Sequence, residues 1–213
     1  MTRLLLNAEH YSLSPIAMLV MLYKISRRVE KGNINGCYVE CGVCDGGSAA
    51  IIAYIAKDND RRHIWLFDSF EGLPESGEKD SPSTLGKTLL KGDFHGSEEK
   101  VSELLFDRLG LDDTRIHLVK GWFEDTLPVT DTGGIALLYL DANFYESTTT
   151  CLEELYDDVV PNGCIVIDDY ENLKGTRDAV DDFIEARGLK VDLIRYSHHG
   201  WGGAYFYKTT AKA

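Results

Sequence analysis

LLYLDANFYE, Leu137 to Glu146, carries a run of apolar residues straight into an aspartate, an asparagine and a tyrosine. With the two residues before it, IALLYLD reads as a strand buried on both faces, because no polar residue alternates with the apolar ones. A second run, CIVIDDY from Cys164 to Tyr170, ends in the same way. Between them, Ser147 to about Val160 reads as a helix that the PNG sequence then breaks. One strand–helix–strand unit makes the two strands neighbours in a parallel sheet and places Asp141, Asp168 and Asp169 at the same end of it.

The same alternation extends in both directions. Ser14-Pro15 opens a helical pattern that runs to about Glu30, with Ser14 as N-cap, and Gly32 stops it. CYVECGV from Cys37 is a short buried strand, Gly46 to Lys57 the helix after it, and HIWLFDS from His63 a second strand. Residues 71–96, rich in Gly, Pro, Ser and charge, read as a long loop or substrate lid that includes Phe94 and His95. Ser97 caps a helix through Leu109, and RIHLVKGW is a third strand. The spacing of Val180, Phe183 and Ile184 makes Gly175 to Arg187 helical. KVDLIRYS and AYFYKT, joined by HHGWGGA, close the chain as a hairpin. The expected architecture is one α/β domain over residues 1–213, with a helical segment at 1–32. Its sheet is mostly parallel with an antiparallel hairpin at one edge, and helices cover both faces.

Composition narrows the partners. A net charge of −13 over 213 residues argues against a protein that tracks phosphates, since nucleic-acid binding needs clustered Lys and Arg. It suits a bound cation or a neutral or cationic small ligand. The chain opens with no basic segment followed by an apolar core, and no apolar run approaches the ~18 residues of a membrane span. A cytoplasmic protein with no membrane or nucleic-acid partner is expected. Five cysteines without a disulfide framework fit reduced, mostly buried thiols. Cys37-x3-Cys41-x2-Cys44 lacks the second Cys/His pair that a zinc site needs.

In a sheet of this kind ligands bind beyond the C-terminal strand ends, where strand order reverses. Asp68, Asp141, Asp168 and Asp169 all fall there. Clustered carboxylates repel, so either some hold protons or a cation sits among them, and an all-oxygen donor set favours Mg²⁺ or another hard divalent ion. The alternative to a metal site is ordinary turn chemistry, with Asp168 and Asp169 capping the next loop or helix and Asp141 only holding a backbone amide. After the first strand, V-E-C-G-V-C-D-G-G-S (Val39 to Ser48) places Gly42 and Gly46 where backbone must approach a ligand. There the amides of Gly46, Gly47 and Ser48 can hold a carboxylate or phosphate. Its G-x-x-x-G-G spacing misses the dinucleotide fingerprint. With Asp68 placed to take a ribose hydroxyl pair, the turn points to an adenosine-type cofactor.

These residues resemble a known family. E-x-G-x-x-x-G-x-S resembles motif I of class I S-adenosylmethionine-dependent methyltransferases. VECGVCDGGSA, WLFDSFEGLPE, KGWFEDTLP, LYLDANFYEST and CIVIDDY recur in order as in the macrocin O-methyltransferase family, from about Tyr23 to Phe183. The resemblance implies a Rossmann-like class I methyltransferase sheet. It also implies S-adenosylmethionine and Mg²⁺ as cofactors, and a sugar hydroxyl of a natural product, such as an antibiotic, as acceptor. It puts Glu40, Gly42 and Ser48 along the methionine part of the cofactor, Asp68 at the ribose, and Ser69, Gly121 and Trp122 around the adenine. Asp141, Asp168 and Asp169 match its metal-binding acids.

One departure bears on catalysis. The family commonly carries D-x-D in the fourth-strand motif, its second acid proposed as general base, whereas this chain has Asp141-Ala142-Asn143. An amide cannot take a proton from a hydroxyl at neutral pH. Three readings stay open: the metal alone acidifies the hydroxyl, another group such as His198 or His199 reaches in, or the acceptor is a more acidic phenol, catechol or carboxylate. The catalytic candidates are therefore Asp141, Asn143 and His198. His63 and His117 lie in strand patterns and read as structural. The apolar side of the first helix, with Ile16, Leu19, Val20 and Tyr23, reads as core, with packing across a homodimer as the alternative. A nicotinamide-dependent oxidoreductase and a silent cofactor-binding module are the alternatives to a methyltransferase.

Overall fold

The structure, a computed structural model, describes residues 2–80 and 88–209. Its centre is β4 (Ile135–Leu140), buried along its whole length. β4 pairs in parallel with β1 (Cys37–Cys41) on one side and β5 (Val159–Ile167) on the other. Beyond β1, β2 (Ile64–Asp68) and β3 (Ile116–Lys120) continue the parallel set. Beyond β5 lies β7 (Trp201–Tyr207), antiparallel to it, and then β6 (Ile194–His198). The order is β3-β2-β1-β4-β5-β7-β6. The chain steps outward from β1 through β2 and β3, then returns to β1's other flank at β4. Strand order thus reverses at the β1/β4 boundary, and a crevice opens beyond Cys41 and Leu140.

Alternate residues of each strand feed two cores. α1 (Thr2–Glu9), α2 (Ile16–Lys31) and α3 (Gly47–Ala56) cover one face, where Leu19, Leu22 and Ile52 pack with Tyr38, Leu66 and Leu137. On the same face α4 (Glu98–Ser102) leads into a π-helical turn over 103–108. The short α5 (Phe123–Thr126) precedes α6 (Tyr145–Leu155) and α7 (Lys174–Ala186), which bury Leu152, Val180 and Phe183 against Val39, Leu138 and Ile165. The expected α/β domain with helices on both faces is the observed one. All five cysteines are free thiols, four of them buried. Among the described residues no helix is long and apolar enough to cross a membrane.

Four local readings change. The N-terminal segment forms two helices, and α2 begins at Ile16 without a side-chain cap, because the Ser14 hydroxyl bonds Asp168 instead. Ser97 does cap a helix, its hydroxyl accepting from the Lys100 amide, but the helix widens into a π turn with Val101, Leu104 and Leu105 all buried. The PNG sequence does not end a helix. α6 stops at Leu155, and residues 161–163 form a bulge in β5, whose step from Val159 to Cys164 faces only Ile135 to Leu137 on β4. The terminal hairpin turns on two residues, His199 and Gly200, with φ of 49° and 86°, so Trp201, Gly202 and Gly203 belong to β7. Gly203 is required there: a Cβ would lie 2.4 Å from the Ile167 carbonyl.

The expected lid is partly described. Leu73 N donates to Asp93 O and Gly92 N to Leu73 O, clasping its base. Asp80 accepts from the amides of Gly77 and Tyr145, which ties the segment to α6. Residues 81–87 of that expectation lie outside the described residues.

Candidate active site

The crevice begins where β1 ends. Gly42 has φ of 92°, and a Cβ on it would stand 2.1 Å from the Asp141 carbonyl oxygen, so only glycine lets the two strand ends approach. Strand pairing carries on into the turn: Gly42 N donates to Phe67 O, Asp141 N to Cys41 O, and Asp168 N to Leu140 O. Asp68, at the end of β2, braces the glycine turn. Its Oδ2 accepts from the amides of Val43 and Cys44 at 2.7 and 2.8 Å, and its Oδ1 accepts from Phe70 N at 2.7 Å. A ribose hydroxyl pair at Asp68 would share a carboxylate already fixed by three amides.

At the start of α3 the expected anion-facing amide of Gly47 is taken: it donates to the Tyr11 carbonyl at 3.0 Å. The α1–α2 connection packs so closely there that a Cβ on Gly47 would lie 2.5 Å from Ser12 Cβ. The Ser48 hydroxyl points inward and donates to Glu40 Oε1 at 2.5 Å. Glu40 is fully buried, and its Oε2 has no partner among the described residues. Burial pushes its carboxyl up to about 8, against the lowering effect of Ser48, with Asp68 and Asp168 adding repulsion. An unpartnered buried acceptor beneath the turn fits a cationic ligand group, such as the amine of a methionine moiety.

This shift has a measurable consequence. The folded chain keeps a proton on Glu40 that the unfolded carboxyl releases near 4.5. Stability from this group is therefore complete below about 4.5 and is lost as pH climbs through about 8. Glu40→Gln keeps an acceptor for Ser48 and removes the titration. The variant should show a flatter dependence of ligand-free stability on pH across that window, by about a few kcal/mol, in urea unfolding. An unchanged pH dependence would refute the assignment.

The acids of β4 and β5 lie beside this turn. Asp168 is buried, and its Oδ2 accepts from Tyr139 Oη at 3.0 Å and Ser14 Oγ at 3.1 Å. Burial raises its carboxyl, and those two bonds partly oppose the rise. Burial also pushes Asp169 up, to about 8, with Asp168 adding to it. Asp141 is raised well above the usual carboxylate range by burial and then by Asp168, Asp169, Glu40 and Asp68. Among the described residues no lysine or arginine offsets the three. That donor chemistry fits a hard divalent cation. Among the described residues, however, no three His, Cys, Asp or Glu side chains are grouped so as to hold a metal ion as they stand. Asn143, at φ of 62°, directs its amide to the carbonyl and Oδ1 of Asp141 at 3.2 and 3.4 Å.

These elements surround a cleft of about 430 Å³. Of the residues expected from sequence, Gly42, Gly47, Ser48, Asp68, Ser69, Gly121, Trp122, Asp141, Asn143 and Asp169 line it. Glu40, Gly46 and Asp168 stand behind the lining, while Phe94 belongs to it. His198 and His199 are exposed, packed against each other beside the hairpin turn, and line no part of the cleft, as does the exposed His95. His63 and His117 share a 2.9 Å contact outside the cleft. Sequence reasoning missed Tyr139, Ser14 and Trp201. A lone hydroxyl in the apolar run of β4 was the available signal for Tyr139. Ser14 had none, since its contact spans 154 residues of chain.

The family model of macrocin-O-methyltransferase (TylF) matches residues 11–208. Over 183 residues the chain is 38% identical to 8-demethyl-8-(2,3-dimethoxy-alpha-L-rhamnosyl)-tetracenomycin-C 4'-O-methyltransferase of Streptomyces olivaceus, covering 84% of this chain and 67% of the relative. Over 172 residues it is 33% identical to demethyldecarbamoylnovobiocin O-methyltransferase of Streptomyces niveus, covering 79% and 65%. The chain thus spans about two thirds of the length of these relatives. The solved structure of the O-methyltransferase NovP is similar at a TM-score of 0.82 and 29% identity, covering 94% of this chain and 83% of that one. By this match and by the sheet that carries it, the chain belongs to the macrocin-O-methyltransferase (TylF) family of S-adenosylmethionine-dependent methyltransferases.

Proposed function

We propose that the chain transfers the methyl group of S-adenosylmethionine to a hydroxyl of a small natural-product molecule, on a sugar moiety, with a divalent cation, Mg²⁺ first, held by Asp141, Asp168 and Asp169. The observation that carries the reading is the convergence of a glycine turn, a braced Asp68 and a cluster of uncompensated carboxylates on one cleft at the strand-order reversal. Family membership supports the transfer, and the two rhamnosyl and novobiocin relatives support a natural-product acceptor.

The chain's own contribution is alignment and exclusion of water, since the sulfonium already carries an activated methyl group. The Gly42 turn lets backbone come close to the cofactor. Trp122 and Phe123 form an apolar wall, and the segment with Leu73, Pro74 and Phe94 covers the cleft. A divalent cation would supply two things, orientation of adjacent acceptor oxygens and a lowered hydroxyl pKa. Asn143 acts as a positioning residue that fixes Asp141. A proton leaving the acceptor hydroxyl passes to a lining carboxylate rather than to His198.

S-Adenosylhomocysteine at 100 times its Kd should stabilise the protein by about 2.7 kcal/mol, whereas NAD should leave the melting temperature unchanged. Methyl label should pass from S-adenosylmethionine to a rhamnoside acceptor and stop when a chelator removes divalent ions. Transfer indifferent to chelator would remove the metal from this reading and leave the cofactor assignment intact.

A further inference from the structure

We propose that Trp201 is the specificity-determining residue of the acceptor half of the cleft, an indole platform for the C–H face of a pyranose ring, and that Asn172 positions it. The proposal rests on the methyl-transfer reading above and adds to it the side chain that holds the acceptor ring.

The sheet order divides the cleft. Asp68, Gly121 and Trp122 stand at the ends of β2 and β3, on the side where the adenosine of the cofactor is expected. Gly42 and Asp141 meet in the middle, at the β1/β4 reversal. Beyond them, β5 and β7 with their loops contribute two described lining residues, Asp169 and Trp201. Because β7 runs antiparallel, it starts at the end of the sheet where the parallel strands finish. Its pairing sets Ala204 beside Ile167, the last residue of β5, and so carries Trp201 past the end of that strand.

The backbone that bears Trp201 is tied down on both sides. Asn172 Nδ2 donates to Gly200 O, Asn172 Oδ1 accepts from Gly202 N at 2.8 Å, and Glu171 N donates to Gly202 O at 3.2 Å. One buried side chain, that of Asn172, thus clasps the residue before Trp201 and the residue after it to the loop that begins at Asp169. Arg195 on β6 adds two bonds to the Glu171 carboxylate. There is no slack in the packing: a Cβ on Gly202 would lie 2.5 Å from the Tyr196 carbonyl oxygen. The half-buried Trp201 is therefore held beside the acid end of the cleft.

A sugar ring makes two opposite demands on such a site. Its hydroxyls need polar partners, which the acids supply. Its C–H face needs an apolar surface, and the electron-rich face of an aromatic ring suits it. A large, rigid ring also loses little conformational freedom on binding. Trp201 meets the second demand next to the groups that meet the first.

The test uses the full chain loaded with S-adenosylhomocysteine and Mg²⁺, with methyl α-L-rhamnoside as the probe because it has no chromophore. In titration calorimetry Trp201→Ala should weaken rhamnoside binding by about tenfold, and Trp201→Phe, which keeps a smaller ring, by about threefold. Affinity for S-adenosylhomocysteine should stay within about twofold in both, which also reports an intact fold. Rhamnoside should shift the indole emission of the parent. That shift should vanish in Trp201→Phe, while the response to S-adenosylhomocysteine, carried by Trp122, persists. Asn172→Ala should weaken rhamnoside binding and shrink the shift with Trp201 still present. Rhamnoside affinity within about twofold of the parent in Trp201→Ala, or an emission shift that survives Trp201→Phe, would overturn the proposal. A parent chain that takes up no rhamnoside would overturn it as well. A parent that binds rhamnoside, with the expected losses in the variants, yet passes it no methyl label would fail the methyl-transfer reading and leave the platform standing.

Discussion

Gly42→Ala is expected to destabilise the protein by on the order of 2–5 kcal/mol and to abolish measurable binding of S-adenosylhomocysteine. Two costs combine. A Cβ at φ of 92° is strained by about 1–2 kcal/mol. The same Cβ would sit 2.1 Å from the Asp141 carbonyl oxygen, a backbone atom held by the Asp141–Cys41 and Gly42–Phe67 bonds, so β1 and β4 must part. Overpacking of that kind costs about 1–3 kcal/mol. Against a total near 5–15 kcal/mol the loss is severe. Urea unfolding gives the stability and calorimetry the affinity. A variant within 1 kcal/mol of the parent would show that the strand ends are not in the contact described.

Asp141→Asn should separate stability from activity. The carboxyl of Asp141 is disfavoured by burial and by Asp168, Asp169, Glu40 and Asp68, so an isosteric amide removes repulsion and should raise the melting temperature of the ligand-free protein. Methyl transfer at saturating S-adenosylmethionine and Mg²⁺ should fall on the order of 10²–10⁴-fold, the range seen when a positioned acid–base group is lost. Cofactor-product affinity should change little, since Asp68 and the glycine turn are untouched. Activity within tenfold of the parent would remove Asp141 from the reaction.

The sheet was legible because its strands announce themselves: IALLYL, CIVI and WLFD are unbroken apolar runs, and each ends on the acid that the structure puts in or against the crevice. The glycine turn was legible for a similar reason, since Gly42 and Gly46 occupy left-handed backbone. What escaped was set by contacts distant in sequence. Ser14-Pro15 has the local form of a helix cap, yet the hydroxyl goes to Asp168, 154 residues along the chain. Gly47 has the local form of an anion-binding amide, yet Tyr11 reaches it first. PNG has the local form of a helix stop, but the Asn162 amide bonds Lys208 O beyond β7, which makes the segment a bulge. His198 looked available because a Gly-rich turn says nothing about direction, and the two-residue turn leaves it in solvent.

The hairpin has a consequence for how the molecule assembles. β7 lies between β5 and β6 although it follows both along the chain, so β6 has no place on the sheet until its partner is seated. A hairpin with so short a turn closes in about 1–10 μs, fast enough to form ahead of its docking on β5. Until it docks, the backbone of Cys164 to Ile167 is a naked apolar edge, able to recruit the same strand from another molecule. Damage to the ribbon should therefore register first as aggregation in the cell, ahead of any change in how fast the surviving protein turns over.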